Sequence, residues 1–356
     1  MTFIECKFNI SRNNFKLNIN TSFEINGITA ILGKSGCGKT TFLNCLAGLT
    51  NDKNGFLKIN KTIIQNKSSL LPTHNRKIGY VFQDSALFKH LNVLDNITYA
   101  KKRSRNNINN IDLDQIIDKF KLNTLLQHKP HQLSGGEKQR VAIARAIASS
   151  PELLLMDEPL SSIDYESKFE LLTLIQSIKE DFNLPILYVT HSITEVARIS
   201  TNAIIMNSGK ITQIGNTFKM LTNFNLPISE QSNSLAVIHG KIQFHDNKYH
   251  LTDINTGNGI ISVKQINQAI GSKVKILIKA KDVSIATERP MATSILNIIK
   301  CNIIDIKYLN ESNILLKLNF NNQNLISRIT KKSFNNLNIE IGKIVYAQTK
   351  SVAIIF

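Results

Sequence analysis

The sequence predicts an α/β domain built on a mostly parallel sheet, followed by an all-β module. Two observations carry this prediction. Before residue 230, short apolar runs ("GITAIL", "KIGYVF", "ELLLMD", "PILYVT") end in polar residues and alternate with helical stretches. Beyond residue 230, β-branched segments such as "KVKILIKAKDVSIA" and "NILLKLNF" are separated by short polar turns. A chain of 356 residues suits two such domains, expected at 1–229 and 230–356.

Composition sets limits on function. With 42% hydrophobic and 19% charged residues the chain can bury an ordinary core. It has no apolar run of about 18 residues, the length needed to cross a bilayer. The start, "MTFIECKFNISRNN", lacks a signal peptide's apolar centre. Cysteines 6, 37, 45 and 301 show no paired or metal-ligand spacing, which fits a reducing compartment. The 43 Lys and Arg exceed the 26 Asp and Glu, giving +17. Apart from "KKRSR" at 101–105 the basic residues are scattered, as on a solvated surface; attraction to an anionic membrane face is the other reading.

The first strand, in "GITAILGKSGCGKTTFLNCLAGL", leads into a glycine loop and then a helix. Gly33, Gly38, Lys39 and Thr40 match G-x-x-x-x-G-K-[ST] in the strand–loop–helix setting that motif requires. Backbone amides of 36–41, from Gly36 and Cys37 to Thr41, suit a nucleotide's phosphates, with Lys34 and Ser35 of the same loop also expected at that site. Lys39 suits the β and γ oxygens, and the Thr40 hydroxyl suits Mg²⁺. Between Gly36 and Gly38, the Cys37 thiol is expected to lie open to reagents.

The next apolar run, "KIGYVFQD" at 77–84, delivers Gln83, whose neutral amide suits both Mg²⁺ and a water. "ELLLMDEP" at 152–159 reads as a strand buried on both faces, with Asp157 and Glu158 at its carboxyl end. Asp157 suits the Mg²⁺ shell, and Glu158 suits a base acting on water. "PILYVT" at 185–190 likewise delivers His191, placed to bond a γ-phosphate and hold the water in line.

A second phosphate cradle is written in "HQLSGGEKQRVAIARA" at 131–146. Ser134 and Glu137 form a capping box at the mouth of a helix whose Val141, Ala144 and Ile147 face the core. Gly135 and Gly136, poor helix formers, suit close backbone approach to a phosphate.

Taken in order, Walker A, Gln83, "LSGGE", "LLLMDEP", "SSID" and "VTHS" resemble the motifs of the ATP-binding cassette family over about the first 230 residues. The resemblance implies a P-loop NTPase cassette with a helical subdomain at about 84–150, working as a head-to-tail homodimer. Each ATP would then lie between one chain's Walker A loop and its partner's Ser134, Gly135 and Gly136, with Asp164 across the interface. The family's usual Gln is Glu137 here, and Phe8 and Phe15 are the candidate aromatics for adenine. "YVFQDSALFKHLNVLDNITYA" at 80–100 is similar to importer cassettes, implying that Phe88, His90 and Leu91 meet two integral-membrane permease subunits. Plain core is the alternative role for those apolar side chains.

Beyond 230 a weak repeat joins Gly271 to Gly342, Val274 to Val345 and Lys279 to Lys350, each pair 71 residues apart. "TSILNIIKCNIIDI" and "AQTKSVAII" resemble small Mop/TOBE-like barrels that bind molybdate, over roughly 290–356. That resemblance points to Ser294, Lys350 and Ser351 as oxyanion ligands, unless the module only dimerises the cassettes. The whole chain resembles the ATPase subunits of molybdate importers. By that likeness it would sit peripherally on the cytoplasmic face of a bacterial inner membrane, working indirectly with a periplasmic oxyanion-binding protein. An importer of tungstate, sulfate, Fe³⁺, polyamine or sugar is the near alternative. A soluble cassette ATPase acting on nucleic acid or ribosomes is the remote alternative. Such proteins usually carry two cassettes or a long coiled coil between Walker A and "LSGGE". This chain has one cassette and no sustained heptads there, so no nucleic-acid partner is expected.

Overall fold

The computed structural model describes residues 1–12, 15–103, 112–221, 223, 234–257, 259–350 and 352–355. It divides into two compact units, Met1–Asn216 and Thr217–Phe356. The boundary read at 229/230 falls among 224–233, outside the described residues.

The first unit opens with β1 (Thr2–Arg12) and β2 (Phe15–Ile25), an antiparallel pair. Strict alternation makes them strands: Ile4, Cys6, Phe8 and Ile10 turn inward between exposed Glu5, Lys7 and Asn9. Next come β3 (Ile28–Leu32), α1 (Lys39–Ala47), β4 (Phe56–Ile59), β5 (Thr62–Gln65) and β6 (Ile78–Val81). The helical layer holds α2 (Val93–Arg103), α3 (Leu113–Lys119) and α4 (Gly135–Ala148). The unit closes with β7 (Leu153–Asp157), α5 (Tyr165–Phe182), β8 (Ile186–Val189), α6 (Ile193–Ile199), β9 (Asn202–Asn207) and β10 (Lys210–Asn216).

The main sheet runs β10-β9-β3-β8-β7-β6, parallel except for the β10 edge. Alternate residues of its central strands enter two cores. Leu154, Met156, Ile186 and Tyr188 pack with the helices, while Leu153, Leu155, Leu187 and Val189 pack with the β2-β1-β4-β5 sheet and α1. Burial on both faces explains why these strands read as unbroken apolar runs. Because β3, β6, β7 and β8 are parallel, Gly33, Gln83, Asp157 and His191 all emerge at one sheet edge.

The second unit begins with α7 (Thr217–Leu221) and then forms two sheets of matching design. Its strands are β11 (Leu235–Asp246), β12 (Leu251–Asn255), β13 (Ile260–Lys264), β14 (Lys273–Lys279) and β15 (Val283–Ala286). The second set is β16 (Asn297–Tyr308), β17 (Asn313–Phe320), β18 (Gln323–Thr330), β19 (Ile344–Thr349) and β20 (Ala353–Ile355), with α8 (Lys331–Asn336) before β19. The sheet orders are β13-β12-β11-β14-β20 and β15-β19-β16-β17-β18. Each set therefore lends its last strand to the other's sheet. The faint repeat is real at this level. β11 bulges between Ile242 and Phe244, β16 between Ile303 and Asp305, and the Gly271 and Gly342 amides donate to the carbonyls of Ile242 and Ile303. The short helices α7 and α8 are absent from an all-β reading, being too brief to show helical periodicity.

Candidate active site

Gly33 ends β3 where no side chain fits: a Cβ there would lie 2.5 Å from Cys37 Sγ and from the Met206 carbonyl oxygen. Gly38, at φ 104°, turns the loop into α1 with a backbone that L-residues avoid. Lys39, 5% exposed, donates to the carbonyls of Gly33 (3.0 Å) and Lys34 (3.2 Å), and its Nζ lies 3.8 Å from Glu158 Oε1. A cavity of about 380 Å³ is lined by Phe15, Ser35, Gly36, Gly38, Lys39, Thr40, Thr41, Gln83 and Glu158. Lys34 is exposed on the same loop. Phe15 thus stands at the cavity, whereas Phe8 is 1% exposed and packs in the core. Phe8 is withdrawn as an adenine candidate. Cys37 also departs from expectation: its side chain is 6% exposed among core residues, and burial pushes the thiol pKa up. Flanking glycines left the thiol uncovered in sequence, but the loop turns it inward.

Asp157 and Glu158 emerge from β7 as read. Asp157 Oδ1 accepts from the Thr40 hydroxyl at 3.1 Å, and Tyr80 OH lies 3.4 Å from Oδ2 and 3.0 Å from Asn44 Oδ1. Burial raises the Asp157 pKa, with Glu158 adding to the rise, while the Thr40 and Tyr80 hydrogen bonds oppose it. A cation beside Asp157 would relieve that penalty, and the Thr40 hydroxyl, having donated its proton, keeps its lone pairs. Hydroxyl and carboxylate oxygens are the hard donors Mg²⁺ takes, one or two at a time, beside phosphate and water. Among the described residues no group of three or more His, Cys, Asp or Glu forms that could hold a metal ion. Glu158 adopts φ 43°, a strained turn for a non-glycine residue, and so faces His191: Nδ1 and Oε2 are 3.0 Å apart.

The second cradle forms as a capped helix. The Ser134 amide and hydroxyl both donate to Glu137 Oε2, at 2.7 and 2.8 Å, and the Glu137 amide returns to Ser134 Oγ at 3.3 Å. Gly135 is exposed, but Gly136 is buried, and a Cβ there would meet Ser167 Cβ at 3.2 Å. Close packing of α4 on α5 is therefore a reason for Gly136 besides phosphate approach. Asp164 caps α5, accepting from the Ser167 amide at 2.9 Å, which lowers its pKa. Ser134, Gly136 and Asp164 are absent from the lining of the Lys39 cavity.

The segment after Gln83 is braced by residues that sequence reasoning passed over. Ser85 and Ala86 hold φ of 41° and 47°, and Arg145 on α4 donates to both of their carbonyls, at 3.3 and 2.9 Å. The same guanidinium sits 5.1 Å from the Phe88 ring centre. Buried Asn96 accepts from the Phe88 amide and donates to the carbonyls of Phe88, Leu91 and Asn92. Phe88 and Leu91 are half-buried and His90 is exposed, so the group is neither plain core nor free surface. Arg145 was legible as the basic residue of the helix's last turn; nothing in the sequence tied it to Ser85.

In the second unit Lys350 lines a cavity of about 580 Å³ together with Lys281, Ser284, Arg328, Thr330 and Ser333. Ser294 is exposed and does not line it, though its neighbour Ile295 does. Ser351 lies outside the described residues.

Comparison with known proteins agrees with this geometry. A family model described as "ABC transporter" matches residues 17–161, and a "TOBE domain" model matches 293–356. The chain is 38% identical over 353 residues to the molybdenum import ATP-binding protein ModC of Hahella chejuensis, covering 99% of both chains. It is 40% identical over 342 residues to that of Saccharophagus degradans, covering 95% of this chain and 94% of the relative. Among solved structures it is similar to a dimeric, post-hydrolysis form of the ATP-binding cassette MJ0796 bound to ADP and Pi. That match has a TM-score of 0.50 and 27% identity, over 61% of this chain and 99% of the other. It shares the fold of cbiO1 from Clostridium perfringens with a TM-score of 0.53 and 24% identity, over 62% and 90%. No described helix is long and apolar enough to cross a membrane. On sequence, fold and the convergence of motifs at one sheet edge, the chain belongs to the family of ModC molybdenum import ATP-binding proteins.

Proposed function

We propose that this protein is the ATP-hydrolysing subunit of a molybdate importer, acting as a homodimer on two permease subunits at the cytoplasmic face of the membrane. The observation that carries the reading is the meeting of Lys39, Thr40, Gln83 and Glu158 around one cleft, with Asp157 bonded to Thr40 and His191 to Glu158. The Walker A amides and Lys39 hold the β and γ phosphates. Glu158 takes a proton from the attacking water, while His191 and Gln83 fix its line of approach. Thr40, Asp157 and Gln83 would hold Mg²⁺, which when bound would neutralise phosphate charge. Ser134 and Gly135 grip the partner's γ-phosphate, and Asp164 reaches across the same interface. Phe88, His90 and Leu91 receive the permease, so closure on ATP is transmitted to the membrane.

A heterodimer tests the sandwich. Glu158→Gln removes the base while keeping the site's shape, and Ser134→Arg fills the γ-phosphate's place in the partner's site. With the cradle used in trans, a Ser134→Arg chain paired with a Glu158→Gln chain keeps one undamaged site. With the cradle used in cis, both sites are damaged. Permease-stimulated activity of the purified heterodimer above that of either mutant homodimer supports the trans arrangement; equal or lower activity sinks it.

A second reading concerns the β module. The cavity that joins Lys350 to Lys281, Arg328 and the Ser284 and Ser333 hydroxyls is also lined by Asp282. Its three cations against one carboxylate suit an oxyanion and support product sensing beside a dimerising role.

A further inference from the structure

His191 is 60% exposed on its side chain, and its ring Nδ1 lies 3.0 Å from Glu158 Oε2, so its aim depends largely on the backbone that carries it. That backbone is closed into a small ring of hydrogen bonds. The Ser192 amide donates to Thr190 Oγ1 at 3.0 Å, and the Thr190 hydroxyl donates to Glu195 Oε2 at 2.7 Å. The Glu195 amide then donates to Ser192 Oγ at 3.4 Å, capping α6. Glu195 itself is 4% exposed, an unusual place for a carboxylate. It accepts a second hydroxyl, from Tyr188 at 2.8 Å, and pairs with Lys168 Nζ at 2.5 Å. Burial and the Glu195 charge push the Tyr188 pKa well up, so that hydroxyl keeps its proton and donates. Lys168 belongs to the first turn of α5, and its amide donates to the Asp164 carbonyl at 2.9 Å.

We infer that Glu195 is a positioning residue: it locks the 190–192 turn so that His191 faces Glu158, and through Lys168 it ties that turn to the start of α5 at Asp164. A buried carboxylate serving hydrophobic stability alone has cheaper replacements, whereas one accepting from Thr190, Tyr188 and Lys168 together fixes a geometry. The link runs between the residue that orients water in one site and the loop assigned to the partner's nucleotide. It rests on the catalytic role of His191 given above, and it makes that role depend on a residue that never meets ATP.

The test is a double-mutant cycle on the full-length protein, with steady-state ATPase and nucleotide binding read together. Glu195→Gln is expected to lower kcat by about 10- to 100-fold, the cost of a misplaced catalytic group, with KM for ATP changed less than about twofold. In a His191→Ala background the same substitution should cost nothing further. Thr190→Val should repeat the kcat loss and Thr190→Ser should restore it, which keeps the test decisive if Glu195→Gln fails to fold. Losses that multiply in the double mutant, or a rise in KM in place of a fall in kcat, overturn the positioning role while leaving His191 catalytic. Wild-type activity in His191→Ala would instead remove the catalytic reading and this inference with it.

Discussion

The Thr40 hydroxyl donates to the Asp157 carboxylate across 3.1 Å, joining the start of α1 to the end of β7 although 117 residues separate them. The contact puts two hard oxygen donors beside the phosphate loop. Asp157→Asn and Thr40→Val are each expected to lower Mg²⁺-dependent ATPase by at least about tenfold and to shift half-activation to higher Mg²⁺. A Mg²⁺ titration of Asp157→Asn that overlays the wild type would remove these residues from the cation's shell.

Protonation should loosen the capped start of α4 from one side of the pH scale only. The Ser134 amide, then its hydroxyl, hold the Glu137 pKa below the ordinary glutamate value. A lowered folded-state pKa means the charged cap stabilises fully above the unfolded value of about 4.3 and fades as pH falls through the depressed one. The stability gap between wild type and Glu137→Gln, from urea midpoints, is therefore expected to stay level from about pH 7 to 5 and narrow in acid. A gap that widens in acid would contradict the capping geometry.

Cys6, Cys37, Cys45 and Cys301 are all buried, and none of them forms a disulfide. A colorimetric thiol reagent should react slowly with the native protein and reach four equivalents only in denaturant. Rapid native labelling mapped to Cys37 would mean that the phosphate loop opens further than its packing here allows.

Arg145 braces the strained Ser85 and Ala86 carbonyls and the Phe88 ring. Arg145→Met is expected to leave ATP binding near wild type while reducing permease stimulation of the ATPase by roughly tenfold, as loss of several charge-assisted hydrogen bonds would. Equal loss of basal and stimulated rates would place the effect in folding instead.

Molybdate titrated into the full-length protein should release or absorb heat, and Lys281→Gln with Lys350→Gln should abolish that signal if their shared cavity is the site. Binding untouched by the double substitution would move the oxyanion elsewhere. No heat up to about millimolar anion, a weak-binding limit, would leave the module a dimerising role.

Much of the site was legible because parallel strands convert sequence order into a shared edge. "LLLMDEP" declares both its burial and the place where its acids emerge, and "YVTHS" does the same for His191. The capping box was likewise readable, since Ser134 and Glu137 stand three residues apart. What escaped depends on contacts between distant segments. Arg145 reaches Ser85 over 60 residues, and Lys168 finds Glu195 across two helices. Cys37 misled because neighbouring glycines say nothing about which way a loop turns its side chain. The opening strands carried a signal that went unused: the alternation of Ile4, Cys6, Phe8 and Ile10 spells β1.

The exchange of β15 and β20 between the two C-terminal sheets has a consequence for biosynthesis. Every strand of the first unit's main sheet has been made by residue 216, so that unit can fold while translation continues. The first C-terminal sheet cannot: β14 stays an open edge until Ala353–Ile355 arrives to pair with Lys275–Leu277. Throughout that interval the nascent chain exposes unpaired backbone to any neighbouring strand, including the same strand on another ribosome. A stop codon a few residues early would cost far more than its length suggests, because the lost strand closes a sheet begun more than a hundred residues before.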